Sequence, residues 1–226
     1  MKILICAATH FEVDELVREF TPEITLNDRL RRFTFRNHSI DVLITAMGMV
    51  PTAYRLAKTF ALQRYDFALN LGIAGSFSKN LAIGDVVNVY SDLFSELGAE
   101  DGKKFMPIRE MELDEAIGYP FVEGKLMNIS HTDNAMINQM KKVTGITVNT
   151  IHGNEESIAE LRRLYRPDVE TMEGAAFLYG CLEEGIPCAQ IRSISNYVQL
   201  RNKDDWDIPT ATDSLYNTSV KILNAF

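Results

Sequence analysis

A chain of 226 residues with a net charge of −8, 46% hydrophobic and 24% charged residues, is long enough for one substantial domain and too short to make two ordinary ones. Its 23 lysines and arginines are scattered rather than gathered into a stripe, so nucleic acid is not expected as a partner. No segment approaches the roughly 20 consecutive apolar residues of a membrane span, and no charged leader precedes the first apolar run, so neither a membrane nor a secretory route is expected.

The three cysteines, Cys6, Cys181 and Cys188, all lie inside apolar runs. An odd number without metal-type spacing predicts buried reduced thiols and a cytoplasmic location. The four histidines, His10, His38, His131 and His152, are too dispersed to form a ligand set, so neither a metal nor a cofactor is expected.

In chain order, Lys2 to Ala8 predicts a buried strand, and Phe11 to Phe20 a helix with Thr9 as its N-cap. A hairpin follows, Arg32 to Arg36 and Ser39 to Thr45, with Asn37 and His38 at its turn. A helix is expected from about Thr52 to Gln63, then a short buried strand, Phe67 to Leu71, that opens into Gly72, Ala74 and Gly75. Gly84 and Asp85 introduce the next strand, Val86 to Tyr90. The stretch from Ser91 to Lys125 has weak periodicity and reads as irregular chain with one short strand, a candidate flap. Beyond it come a helix from about Asp133 to Val143, a strand Ile146 to Ile151, and helices Glu156 to Tyr165 and Glu173 to Glu184. A strand from Cys188 to Ile194 ends in Ser195 and Asn196, and Pro209 to Phe226 closes the chain as an amphipathic helix. The alternation predicts one α/β domain over residues 1–226, with a central mixed β-sheet flanked by helices on both faces.

Ligands of open α/β sheets sit beyond the carboxyl ends of strands, which directs attention to the residues after each strand. Glu12, between apolar Phe11 and Val13, is placed either to act as a general base on water or to cap the helix that it opens. Glu173 begins a small, apolar helix face, where it either accepts hydrogen bonds from two vicinal hydroxyls or serves the helix N-terminus. Asn196 ends a strand; its amide can donate and accept at once, as a purine edge requires, or can cap its own backbone turn.

Four segments together resemble the nucleoside phosphorylase and nucleosidase family over most of the chain, from Met1 to about Ala211. The opening Met1 to Ala8 followed by Glu12 is similar to the methylthioadenosine/S-adenosylhomocysteine nucleosidases. Asn70-Leu71-Gly72-Ile73-Ala74-Gly75, then Gly84-Asp85-Val86-Val87, resembles the family's central glycine motif. Glu170-Thr171-Met172-Glu173-Gly174-Ala175-Ala176 resembles its ribose-binding segment, and Ile191-Arg192-Ser193-Ile194-Ser195-Asn196 the segment that reaches the base.

The resemblance implies a nucleoside phosphorylase/hydrolase-like fold and a small-molecule nucleoside substrate. It assigns Glu12 as water activator, Met172 and Glu173 as ribose contacts, Asn196 with Ser195 as base contacts, and Ala74 and Gly75 as backbone near the ligand. It also implies a homodimer or larger assembly. Two departures narrow the branch. Asn196 stands where adenine-specific nucleosidases carry an aspartate, and an amide donating to a 6-oxo group favours hypoxanthine. The loop Ala7 to Glu12 has no arginine and carries an acid that repels phosphate, so water is the expected nucleophile. With the tail Tyr197 to Asn202 leading to Trp206, these features most resemble the futalosine hydrolase branch. The segment Thr150 to Asn154 lacks the phenylalanine that stacks on adenine in the nucleosidases, leaving His152 either in its place or as a surface residue. Arg201, Arg31 and His10 are the cations open to a carboxylate on the 5′ side of a substrate.

Overall fold

The computed structural model describes residues 1–111, 118–129 and 131–226. Its elements in chain order are β1 (Lys2–Ala7), a 3-10 turn (His10–Glu12), α1 (Asp14–Arg18), β2 (Thr21–Thr25), β3 (Leu30–Phe35), β4 (His38–Ile44), α2 (Met49–Leu62), β5 (Phe67–Ser76) and β6 (Val86–Asp92). There follow β7 (Gly98–Asp101), β8 (Lys104–Pro107), β9 (Phe121–Val122), β10 (Lys125–Met127), α3 (Ala135–Gln139) and β11 (Lys142–Thr147). The chain finishes with α4 (Glu155–Tyr165), β12 (Val169–Thr171), α5 (Gly174–Glu183), β13 (Cys188–Tyr197) and α6 (Ile208–Asn224).

The expected architecture is present: eleven of the described strands join in one sheet with parallel and antiparallel pairs. Side-chain alternation along β1 shows why helices cover both faces. Ile3, Ile5 and Ala7 pack with Leu16 of α1, Ile137 of α3 and Leu215 and Ile222 of α6. Leu4 and Cys6 point the other way, onto Leu56 and Phe60 of α2 and Phe177 and Leu178 of α5. Each fully buried Leu, Ile or Phe contributes about 1.5–3 kcal/mol relative to exposure. All three cysteines are buried, and none is in a disulfide.

Within the sheet β5 pairs with β1, β12 and β13, while β6 pairs with β13 and β11, and β11 with β12. Strands β5, β12, β11, β6 and β13 therefore close into a five-stranded circuit. Its inside is filled by Ala74, Val87, Val89, Val143, Val169 and Ile194. This closure brings β5, β12 and β13 side by side.

Several boundaries differ from the sequence reading. The first helix is split at Val13, and the chain then turns into β2, an exposed edge strand without the buried alternation that marks strands. The hairpin turn is Arg36–Asn37, with Arg36 at φ 52°. Residues 72–76 and 195–196 continue β5 and β13 rather than following them, because each strand pairs with the other up to Tyr197↔Ser76. The helix expected from Asp133 stops at Gln139; Asn134 caps its start by accepting from Ile137 N–H, and Met140 is already extended. β11 lies earlier than Ile146–Ile151, ending near where Asn149 N–H turns to Glu96 Oε1 at 3.0 Å.

The segment 91–125 is richer in strand than expected, since Ser91 and Asp92 extend β6 and β7 pairs with β8. Residues 112–117 of it lie outside the described residues. Among the described residues of this segment, none lines the main cavity described below, and several surround a separate small cavity beside Tyr165. No helix among the described residues is long and apolar enough to cross a membrane.

Candidate active site

The end of β1 and its following turn, the ends of β5 and β13, and the β12–α5 junction meet around one cavity of about 180 Å³. Glu12, Ala74, Gly75, Met172, Glu173, Ser195 and Asn196 all line it, as do Thr9, Phe11, Met47, Ile151, Glu170, Trp206 and Ile208. Residues 125 positions and more apart in sequence thus converge on one mostly apolar hollow with a few polar groups, the usual form of a small-molecule site.

Glu12 closes the turn after β1. Its Oε2 accepts from Thr9 N–H at 2.9 Å and from Thr9 Oγ1 at 3.0 Å, while Oε1 accepts from Ile73 N–H at 3.3 Å. The side chain reaches back to Thr9 as in a capping box, and the same residue lines the cavity. Beneath it lies Arg192, whose side chain is fully enclosed and whose Nη2 donates to Asn70 Oδ1. Among the described residues Arg192 Nε has no partner. A Cβ on Gly72 would stand 2.3 Å from Arg192 Nη1 and 2.9 Å from Glu12 Oε1, so only a residue without a side chain admits both groups here.

Glu173 occupies the N-cap position of α5, yet its carboxylate makes no capping bond to that helix. Its Oε1 instead accepts from Gly48 N–H at 3.0 Å. Gly48 sits at φ 98°, a conformation that side chains resist, and this backbone shape starts α2. Burial raises the Glu173 carboxyl above its ordinary range, and the charge of Arg192 and the Gly48 N–H oppose that rise.

Asn196 lies on the cavity wall with its amide oriented by neighbours: Oδ1 accepts from Ser195 Oγ at 2.8 Å and Nδ2 donates to Tyr197 O at 3.2 Å. One Nδ2 hydrogen and one Oδ1 lone pair remain for a ligand. His152 does not line the main cavity. It lines a smaller adjoining one with Arg201, and the two cavities share Ile151, Asn196 and Trp206 as walls. Of the other cations open to a 5′ carboxylate, His10 and Arg31 line a separate groove with Asp14 and Asp28.

Sequence spacing singles out none of Glu170, Arg192 and Gly48, yet Glu170 lines the cavity, the Arg192 side chain lies beside Glu12, and Gly48 N–H donates to Glu173. The missing signal is long-range: Glu170 and Arg192 sit inside strands whose neighbours are read only in three dimensions. Among the described residues no group of three or more His, Cys, Asp or Glu side chains could hold a metal ion.

A family model described as the phosphorylase superfamily matches residues 2–225. A futalosine hydrolase of Thermus thermophilus is 26% identical over 190 residues, covering 80% of each chain. A 5′-methylthioadenosine/S-adenosylhomocysteine nucleosidase of Colwellia psychrerythraea is 27% identical, covering 85% of this chain and 82% of that one. The solved structure of futalosine hydrolase from Helicobacter pylori superposes with a TM-score of 0.83 at 18% identity, covering 100% of this chain and 98% of that one, which establishes the shared fold.

Proposed function

The chain belongs to the phosphorylase superfamily, and from that premise we propose that it is an N-glycosidase that hydrolyses futalosine to hypoxanthine and dehypoxanthinylfutalosine, a step of menaquinone formation. The observation that carries the reading is the convergence of two carboxylates, Glu12 and Glu173, with one base-side amide, Asn196, on a single cavity. The carboxylate at the floor favours water over phosphate as the attacking group.

In this mechanism Glu12 takes a proton from water as the water oxygen bonds to the anomeric carbon. The bond from that carbon to N9 breaks, its electron pair passes into the purine, and N7 is protonated from solvent. Glu173 accepts from the two ribose hydroxyls, its position fixed by Gly48 N–H. Asn196 donates to the 6-oxo group and accepts from the protonated N7; Ser195 Oγ fixes which amide atom faces which way. Arg192, buried beside Glu12 and Glu173, keeps both carboxylates compatible in one site. Assembly as a homodimer belongs to the same reading, with sedimentation as its check.

The test is incubation of the purified chain with futalosine, inosine, 5′-methylthioadenosine and S-adenosylhomocysteine in phosphate-free buffer, with and without added phosphate. Hypoxanthine from futalosine without phosphate is the expected result. Adenine from the thio-nucleosides alone would overturn the substrate, and a requirement for phosphate would overturn hydrolysis.

A further inference from the structure

Gly75 of β5 has a register partner on each side: Asn196 of β13 and Glu170 of β12. Residues directly opposed across adjacent strands share a face of the sheet, and Glu170 and Asn196 both line the main cavity. They therefore stand two strand spacings apart, roughly 10 Å, with a residue lacking a side chain between them. A Cβ on Gly75 would meet Val198 Cγ2 at 3.0 Å and Asn196 Nδ2 at 3.2 Å, so a flat bicyclic ligand lies in the cavity beside Gly75, with the amide and the carboxylate both among its walls.

The Glu170 side chain is buried, and both of its oxygens are held by one residue. Oε1 accepts from His152 N–H at 3.0 Å, and Oε2 lies 2.6 Å from His152 Nδ1. A carboxylate at that distance places the ring proton on Nδ1. Each oxygen keeps a second lone pair, and the cavity is where Glu170 meets open space.

We infer that Glu170 is a second determinant of base identity, accepting the ring N1–H of a 6-oxopurine whose adjoining O6/N7 edge lies on Asn196, and that His152 is the positioning residue that aims it. The inference rests on the nucleosidase reading above. A 6-oxopurine carries a hydrogen on N1, whereas the N1 of adenine is a bare acceptor that opposes a carboxylate lone pair. Two acceptors set against each other in a buried site reject the wrong base far more strongly than a size difference does. His152 then serves the site without entering the main cavity, which explains its place in the adjoining one.

The test measures binding of free hypoxanthine and adenine to the intact chain and to Glu170→Gln, alongside futalosine turnover. In the variant the amide oxygen can still accept from His152 N–H, while its nitrogen faces the base as a donor. The hypoxanthine-to-adenine affinity ratio is expected to fall at least about 10-fold. A role confined to anchoring the 148–154 loop would weaken both bases alike and leave the ratio unchanged, which would overturn the inference. Should the variant not fold, the unmodified chain is compared with hypoxanthine and 1-methylhypoxanthine, and equal affinity for the two overturns it as well. Hypoxanthine release from futalosine with an unmoved ratio would sink this inference and spare the proposed function. A Glu170-dependent preference for hypoxanthine without futalosine turnover would support it and sink that substrate.

Discussion

Gly48 and Glu173 are joined by a 3.0 Å hydrogen bond, backbone N–H to carboxylate, across 125 residues of chain. The bond ties the start of α2 to the start of α5 and turns the Glu173 carboxylate away from its own helix. Glu173→Gln retains an oxygen for Gly48 and removes the charge offered to the ribose. Its kcat/KM is expected to fall about 10- to 100-fold, the usual worth of charged hydrogen bonds. Burial raises the folded-state pKa of this acid, so its ionisation costs stability as pH rises above the unfolded value. The variant is therefore expected to match or exceed the parent melting temperature at neutral pH, and a marked drop there would contradict the account.

Glu12 and Arg192 share the space left by Gly72. Gly72→Ala forces both apart, and a displacement near 1 Å at a reacting group can cost about 100-fold in rate. A kcat loss of that order is expected, with a lowered melting temperature because the enclosed Arg192 must shift. Glu12→Gln is expected to lower kcat by about 10²- to 10⁴-fold while substrate still binds. Near-parental turnover by that variant would remove Glu12 from the mechanism.

Asn196→Asp keeps the acceptor that Ser195 Oγ bonds and replaces the amide N–H₂ by a second acceptor. Preference measured as kcat/KM for paired 6-oxo and 6-amino nucleosides is expected to shift toward the 6-amino member. An unchanged ratio would show that the base is selected elsewhere.

Asp92 is fully buried in β6, where it accepts from Thr147 Oγ1 at 3.0 Å, Gln190 Nε2 at 2.9 Å and Leu93 N–H at 2.8 Å. Burial pushes its carboxyl up to about 7. A carboxyl raised in the folded state binds its proton more tightly there than in the unfolded chain. Its stabilising effect is complete below about 3.8, the ordinary value, and is lost as pH climbs toward 7. Asp92→Asn has no such loss, and a flip of Gln190 would give Gln190 Oε1, which has no partner among the described residues, a donor. The variant is expected to gain a few degrees in melting temperature on the parent between about pH 4 and pH 8. Parallel pH profiles would count against the burial effect.

Much of the architecture follows from local pattern alone. The unbroken apolar run of β1 and the helical spacing of α2 and α6 mark these elements because each segment is buried in a way that its own periodicity records. The sequence also placed Glu12, Glu173 and Asn196 near strand ends, where a ligand of this sheet belongs. It could not mark β2, which is exposed along its length, or β12, whose three residues are too few for a period.

Tertiary structure alone decided what those residues face. Whether Glu173 caps its helix or crosses to Gly48, and whether Glu170 is an inert strand residue or the partner of His152 across Gly75 from Asn196, depends on strand register between distant segments. Register is set by packing over the whole sheet, and no local spacing encodes which residue will be opposed to which.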